Sequence, residues 1–102
     1  MTWIRACEID AVDDGEATVL QRSPEPPVAV FNVGGEFFAT DDTCTHDNYS
    51  LADGYIDDEV VECPLHMAKF CIRTGKVLSP PATRGLTSYP VKVEDGAVYV
   101  DV

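Results

Sequence analysis

Cys44-Thr45-His46 and, sixteen residues further on, Cys63-Pro64-Leu65-His66 are the two stretches around which this chain is built. Each offers one thiolate and one imidazole. Together they use both histidines of the protein and two of its four cysteines. The separation fits a hairpin with its connections. One Cys and one His from each of two loops suit a site with two chemically different metal ions, such as an iron–sulfur centre in which two imidazoles replace two thiolates on one iron. Two Cys and two His also suit zinc, although structural zinc sites usually pair Cys with Cys and His with His rather than mixing them within each motif. A Cys–His nucleophile pair would use one motif and leave the other unexplained.

Outward from these motifs the sequence reads as short strands broken by turn residues. Trp3 to Ile9 reads as a strand, and an acidic turn at Asp13-Asp14-Gly15-Glu16 leads to a second at Ala17 to Gln21. Ser23-Pro24-Glu25-Pro26-Pro27 cannot sit inside a sheet. Val28 to Val33 and Phe37 to Thr40 flank Gly34-Gly35-Glu36, a hairpin signal. Leu51-Ala52-Asp53-Gly54 reads as a turn into a strand near Tyr55-Ile56. Asp57-Asp58-Glu59 reads as a hairpin tip, with Val60-Val61-Glu62 returning into Cys63. Phe70-Cys71-Ile72 is a further strand, Arg73-Thr74-Gly75 a turn, and Val77-Leu78 an extended restart. Ser79-Pro80-Pro81-Ala82 is too rigid for a central strand. Tyr89-Pro90 leads into a last hairpin, in which Val91 and Val93 alternate, Asp95-Gly96 turns, and Val98, Val100 and Val102 alternate again. No stretch of ten residues carries a helical period. The expected class is all-β, a small antiparallel sandwich or barrel.

The 102 residues make one domain with a modest core. No window reaches the ~18 apolar residues of a membrane span. Met1-Thr2-Trp3-Ile4-Arg5 lacks the pattern of a secretory signal. A cytoplasmic, reducing location is therefore expected, and it argues against two disulfides. Cys7 and Cys71, in apolar strand contexts, read as buried thiols that pack as small hydrophobes. Trp3, Phe31, Phe37 and Tyr99 read as core or ordinary surface. The net charge of −11 makes nucleic acid and anionic membrane poor partners. The excess is concentrated: Asp41, Asp42, Asp47, Asp53, Asp57, Asp58, Glu59 and Glu62 lie in a segment with no Lys or Arg. Lys69 is the one basic residue near the two motifs. The acids either keep a small protein soluble or steer it to basic surfaces on protein partners.

C-x-H followed by C-x-x-H at this distance resembles the Rieske [2Fe–2S] pattern, and the match is best with the small Rieske-type ferredoxins of bacterial aromatic-ring dioxygenase systems. The resemblance extends to Asn32-Val33-Gly34-Gly35-Glu36-Phe37-Phe38, Asp53-Gly54-Tyr55, Lys69-Phe70-Cys71, Thr74-Gly75-Lys76 and Tyr89-Pro90-Val91. It covers essentially the whole chain. It implies a single Rieske domain over residues 1–102, with an antiparallel β-sandwich base and a cluster-binding subdomain of roughly residues 42–80 inserted into it. It assigns Cys44 and Cys63 to the inner iron of one [2Fe–2S] cluster and His46 and His66 to the outer one. It also implies a monomeric one-electron carrier rather than an enzyme. The donor would be an NAD(P)H-dependent flavoprotein reductase and the acceptor a terminal Rieske non-haem iron oxygenase. Pro80-Pro81 would form a wall over the cluster. Two readings of other classes stand beside it: a Rieske-like small subunit of another oxidoreductase such as nitrite reductase, which often lacks the ligands, and a structural zinc module.

The ligand set bears on the potential. Two ferric ions, two sulfides and two thiolates sum to zero charge, so reduction builds only one negative charge; four thiolates start two charges lower, and replacing two by imidazole raises the potential. High-potential relatives carry an extra cysteine in each ligand loop, forming a disulfide, and a serine and a tyrosine hydroxyl that donate to the cluster sulfurs. Here Tyr49 or its neighbours and Leu65 stand at the cysteine places, and Ala68 and Phe70 at the hydroxyl places. Neither Ala68 nor Phe70 can donate a side-chain hydrogen bond. An anaerobic redox titration followed by electron paramagnetic resonance should therefore give a rhombic one-electron signal of low average g near the bottom of the Rieske range, about −150 mV. A midpoint well above zero contradicts the hydroxyl argument. A colourless, zinc-loaded protein contradicts the cluster.

Overall fold

The computed structural model describes residues 2–22, 25–45, 49–64, 68–80 and 84–102. Among the described residues, eleven strands form three antiparallel sheets. The strands are β1 (Trp3–Glu8), β2 (Glu16–Leu20), β3 (Val28–Val33), β4 (Glu36–Asp41), β5 (Tyr55–Asp57), β6 (Val60–Glu62), β7 (Lys69–Cys71), β8 (Val77–Ser79), β9 (Ser88–Tyr89), β10 (Val91–Glu94) and β11 (Ala97–Asp101). The first sheet runs β1-β11-β10, the second β2-β3-β4-β9, and the third β5-β6-β7-β8. The protein is all-β, as expected, and its only helical elements among the described residues are single 3₁₀ turns at Ile9–Ala11 and Leu51–Asp53. No helix among the described residues is long and apolar enough to cross a membrane.

Strand β3 explains how the sheets stack. Successive side chains of a strand point to opposite faces. Val28 and Val30 pack with Ala39, Val98 and Val100, between the first and second sheets. Ala29 and Phe31 turn the other way and join Leu51, Val61, Phe70, Ile72 and Leu86, toward the third sheet. An unbroken apolar run is what a strand covered on both faces requires. The second sheet is thus the middle layer, with a first core between it and the first sheet and a second core on its other face, toward the third sheet. The third sheet lies, in chain order, between β4 and β9.

The turns follow local chemistry. Gly34 and Gly35 both have positive φ, +62° and +89°, as a tight β3–β4 hairpin demands. Buried Asn32 fixes that hairpin: its side-chain Oδ1 accepts the Gly35 N–H at 2.9 Å, and its Nδ2 donates to the Val12 carbonyl at 2.8 Å. At the β10–β11 turn, Asp95 and Gly96 share the positive-φ geometry.

Arg73 ties the third sheet to the middle one. Its guanidinium, in the β7–β8 turn, binds both carboxylate oxygens of Glu59 at 3.0 Å and 3.0 Å, where Glu59 sits at the β5–β6 tip. It also reaches Glu36 at 3.5 Å and lies 4.7 Å from the centre of the Phe38 ring, both on β4. These hydrogen bonds and charges push the Glu59 carboxyl below its ordinary range and the Arg73 guanidinium above its own.

Phe31 is fully buried at the heart of the second core. Phe31→Ala should cost about 3–5 kcal/mol in chemical unfolding. A loss below about 1 kcal/mol would mean that the third sheet does not depend on β3 for its packing.

Candidate metal centre

The motif cysteines are buried within the second core. Cys44 is 2% exposed and Cys63 is fully buried, and both belong to the cluster of side chains built on Ala29, Phe31, Leu51 and Phe70. None of the four cysteines is in a disulfide. His46 and His66 lie outside the described residues, as does Pro81; Pro80 is exposed.

The two motifs are held in the same way. The Cys44 N–H donates to the Tyr49 carbonyl at 3.0 Å, and the Cys63 N–H donates to the Ala68 carbonyl at 2.8 Å. Each cysteine thus closes a six-residue loop by pairing with the residue five further on. Outside the first loop, Thr43 and Ser50 form an antiparallel bridge. Outside the second, the β6–β7 ladder pairs Glu62 with Lys69. A third segment is fastened to both. The Thr45 hydroxyl donates to the Arg84 carbonyl at 2.6 Å, and the Leu86 N–H donates to the Gly75 carbonyl at 2.7 Å. Gly75 has φ +80°, and a Cβ there would collide with the Leu86 carbonyl; one on Gly85 would lie 2.7 Å from the Gly75 oxygen. The backbones can touch only because neither residue carries a side chain.

Asp42 anchors the first loop. It is 4% exposed, and its Oδ1 accepts the Ser50 hydroxyl at 2.8 Å and the Ala52 N–H at 3.0 Å. Its backbone N–H donates to the Pro27 carbonyl and its carbonyl accepts the Leu51 N–H. Sequence reasoning had counted Asp42 only among the surface acids. The signal that could have found it is local: an Asp followed by Ser50 and Leu51-Ala52-Asp53, whose 3₁₀ turn leaves N–H groups to be satisfied. Its neighbour Asp41 faces the other way, accepting the Tyr89 hydroxyl at 2.6 Å and the Thr87 N–H at 3.3 Å. Burial, and then the Asp41 carboxylate, push the Tyr89 phenol up.

The remaining thiols differ from the expectation of full burial. Cys7 is half-buried beside the first core, next to an irregularity in the β1–β11 register, and burial raises its pKa. Cys71 is half-buried because it pairs with Val60 and so points away from the core that Phe70 enters. Burial raises its pKa, but the Thr74 hydroxyl and the Thr74 and Arg73 N–H groups lower it further, and the net direction is down.

The model of the Rieske [2Fe–2S] domain matches residues 2–90. The chain belongs to that family. Curated relatives align along its whole length. It is 53% identical to the biphenyl dioxygenase ferredoxin subunit of Pseudomonas sp. strain KKS102, covering 99% of this chain and 93% of the relative. It is 52% identical to the 3-phenylpropionate/cinnamic acid dioxygenase ferredoxin subunit of Escherichia coli K12, covering 100% and 95%. Among solved structures, the ferredoxin in a complex of reduced oxygenase and oxidised ferredoxin of carbazole 1,9a-dioxygenase superposes with a TM-score of 0.92 at 40% identity, over 96% of this chain and 91% of that one.

The two described cysteines of this Rieske domain fit a cluster site. Cys44 and Cys63 are buried, unbridged and held through their own backbone N–H groups, an environment that suits thiolate ligation. Asp42→Ala would leave the Ser50 hydroxyl and the Ala52 N–H without their acceptor. It should destabilise the protein by about 2–3 kcal/mol and speed loss of iron on mild chelation, with Asp42→Asn intermediate because one oxygen remains. Unfolding curves and bleaching rates equal to wild type for both variants would show that the first loop does not rely on this carboxylate.

Proposed function

We propose that the protein is a cytoplasmic one-electron carrier, the ferredoxin component of an aromatic-ring dioxygenase system, and that Cys44, His46, Cys63 and His66 hold its cluster. The observation that carries this reading is the whole-length similarity to ferredoxin subunits of two such systems, in a chain that keeps all four motif residues. Residues 42–80 serve as the cluster-binding subdomain of a single 102-residue domain. Retention of the four ligands, together with that similarity, favours a ferredoxin over a nitrite reductase small subunit or a zinc module. The protein acts as a carrier and not as an enzyme.

The bound cluster would supply reversible uptake of one electron. The protein's own groups do the rest. The second core surrounds Cys44 and Cys63 and keeps water from their sulfurs. Closed loops hold the two cysteines at fixed positions on separate hairpins. The imidazoles of His46 and His66 belong to the same loops by sequence, and neutral imidazole adds no charge to the site. Electrons would come from an NAD(P)H-dependent flavoprotein reductase and pass singly to a terminal Rieske non-haem iron oxygenase. A complex of that second kind is known for the carbazole dioxygenase ferredoxin. The similarity is almost equal to the biphenyl and the phenylpropionate proteins, and the aromatic substrate is chosen by the oxygenase pocket, which is not on this chain.

His66→Cys tests the ligand assignment. The added thiolate charge should lower the midpoint potential or prevent assembly. An unchanged visible spectrum and potential would remove His66 from the site. In parallel, the wild-type protein should be reduced by NADH only when the reductase is present, and should then reduce the oxygenase in single turnover. Failure of that transfer would overturn the carrier role.

A further inference from the structure

The outer face of the third sheet is unlike an ordinary solvated sheet face. Ile56, Val61 and Phe70 point into the second core, so their neighbours along each strand point outward. A sheet with one face in water normally shows polar residues at those positions. Here Tyr55 is 66% exposed and Leu78 is 49% exposed. With Val60 they line a shallow depression of about 230 Å³, whose other walls are Asp57, Glu62 and Lys69. Register places Tyr55 beside Glu62 and Glu62 beside Lys69 in one row across the sheet. An apolar centre with an aromatic anchor and a charged rim is the anatomy of a protein interface.

We propose that this face is a docking surface for the terminal oxygenase, which would present basic side chains around an apolar contact. The proposal rests on the carrier reading above. Three observations favour it. The charged groups of the rim are available: among the described residues, no ion pair or side-chain hydrogen bond engages Asp57, Glu62 or Lys69. The face is continuous with the site, because Glu62 and Lys69 directly flank the loop that begins at Cys63 and closes at Ala68. The charge balance selects an acceptor. Reduction adds one negative charge to an already acidic carrier, so a basic surface attracts the reduced form more strongly than the oxidised one. That is the preference an electron acceptor needs and a donor does not. Lys69, the single cation of the rim, would meet an acid of the partner and fix the register.

The test measures binding of the reduced holoprotein to the purified terminal oxygenase of the Pseudomonas biphenyl dioxygenase system. Tyr55→Ser combined with Leu78→Ser should weaken binding about tenfold or more, and raise the KM for ferredoxin in oxygenase turnover with kcat unchanged. The visible spectrum and midpoint potential should not move. Asp57→Lys, an exposed charge reversal, should weaken binding as well and flatten its salt dependence. Affinities within twofold of wild type for both variants would overturn the proposal, as would a loss seen with the reductase and not with the oxygenase. If wild-type protein neither binds this oxygenase nor passes electrons to it, the carrier reading falls with the docking surface. If wild type and variants transfer electrons equally well, only the docking surface falls.

Discussion

Four consecutive apolar residues, Val28-Ala29-Val30-Phe31, must satisfy two hydrophobic cores at once. The alternation of β3 sends Val28 and Val30 to one core and Ala29 and Phe31 to the other. A slip of one residue would exchange the two sets, putting Phe31 where the first core has room for a valine. Register is therefore strongly specified. β3 is further pinned by pairing on both sides, to β4 along its whole length and to β2 from Val28 to Asn32. The second core in turn carries Cys44 and Cys63, so the placement of the two motif cysteines is inherited from a strand that holds neither motif.

The six-residue closure at each motif cysteine has a similar logic. A cysteine that must keep its sulfur buried and its loop open to a partner needs its backbone fixed at both ends. Pairing each Cys N–H with a carbonyl five residues later does this without using a side chain. Asp42 then fastens the first loop from beneath, and Thr45 fastens it to the segment returning toward β9. The tight contact of Gly75 with Leu86 does the same for the second hairpin. The two halves of the centre are thus joined through three chain segments, and a shift in one is resisted by the others.

Much of this was legible in the sequence, and the reasons are local. The strand limits fell within about a residue because Gly34-Gly35, Asp58-Glu59 and Asp95-Gly96 are turn signals with a steric cause. The proposed donors are a reading of the sequence alone: two mixed Cys/His motifs at that distance have few chemical explanations, and the structure describes only Cys44 and Cys63 of the four. What was hidden depends on contacts between distant segments. The double burial of β3 was present as an unbroken apolar run but reads equally as any buried strand. The two-residue strand β9 exists only through its pairing with Ala39 and Thr40 on β4. Asp42 looked like one more surface acid, since nothing in an acidic run shows which member turns inward. The outward direction of Cys71 followed from its alternation with Phe70, yet apolar context suggested burial.

The cations of the chain are few, and the fold engages several of the seven in its own contacts. Arg73 holds two sheets together through Glu59 and Glu36; Lys92 lies 4.7 Å from the Trp3 ring centre, 5.7 Å from that of Tyr99, and near Glu94; Arg5 meets Glu8. Of the acids near the two motifs Arg73 neutralises Glu59, whereas Asp53, Asp57 and Asp58 remain exposed and, among the described residues, meet no ion pair. That uncompensated charge acts on two properties together. It opposes the arrival of an electron, which lowers the potential, and it favours a basic partner once the electron has arrived. Both effects decline with ionic strength over a distance of about 8 Å at physiological salt. On the proposed docking face, driving force and docking would share one electrostatic origin, and the carrier would gain affinity for its acceptor in the same step that makes it a reductant.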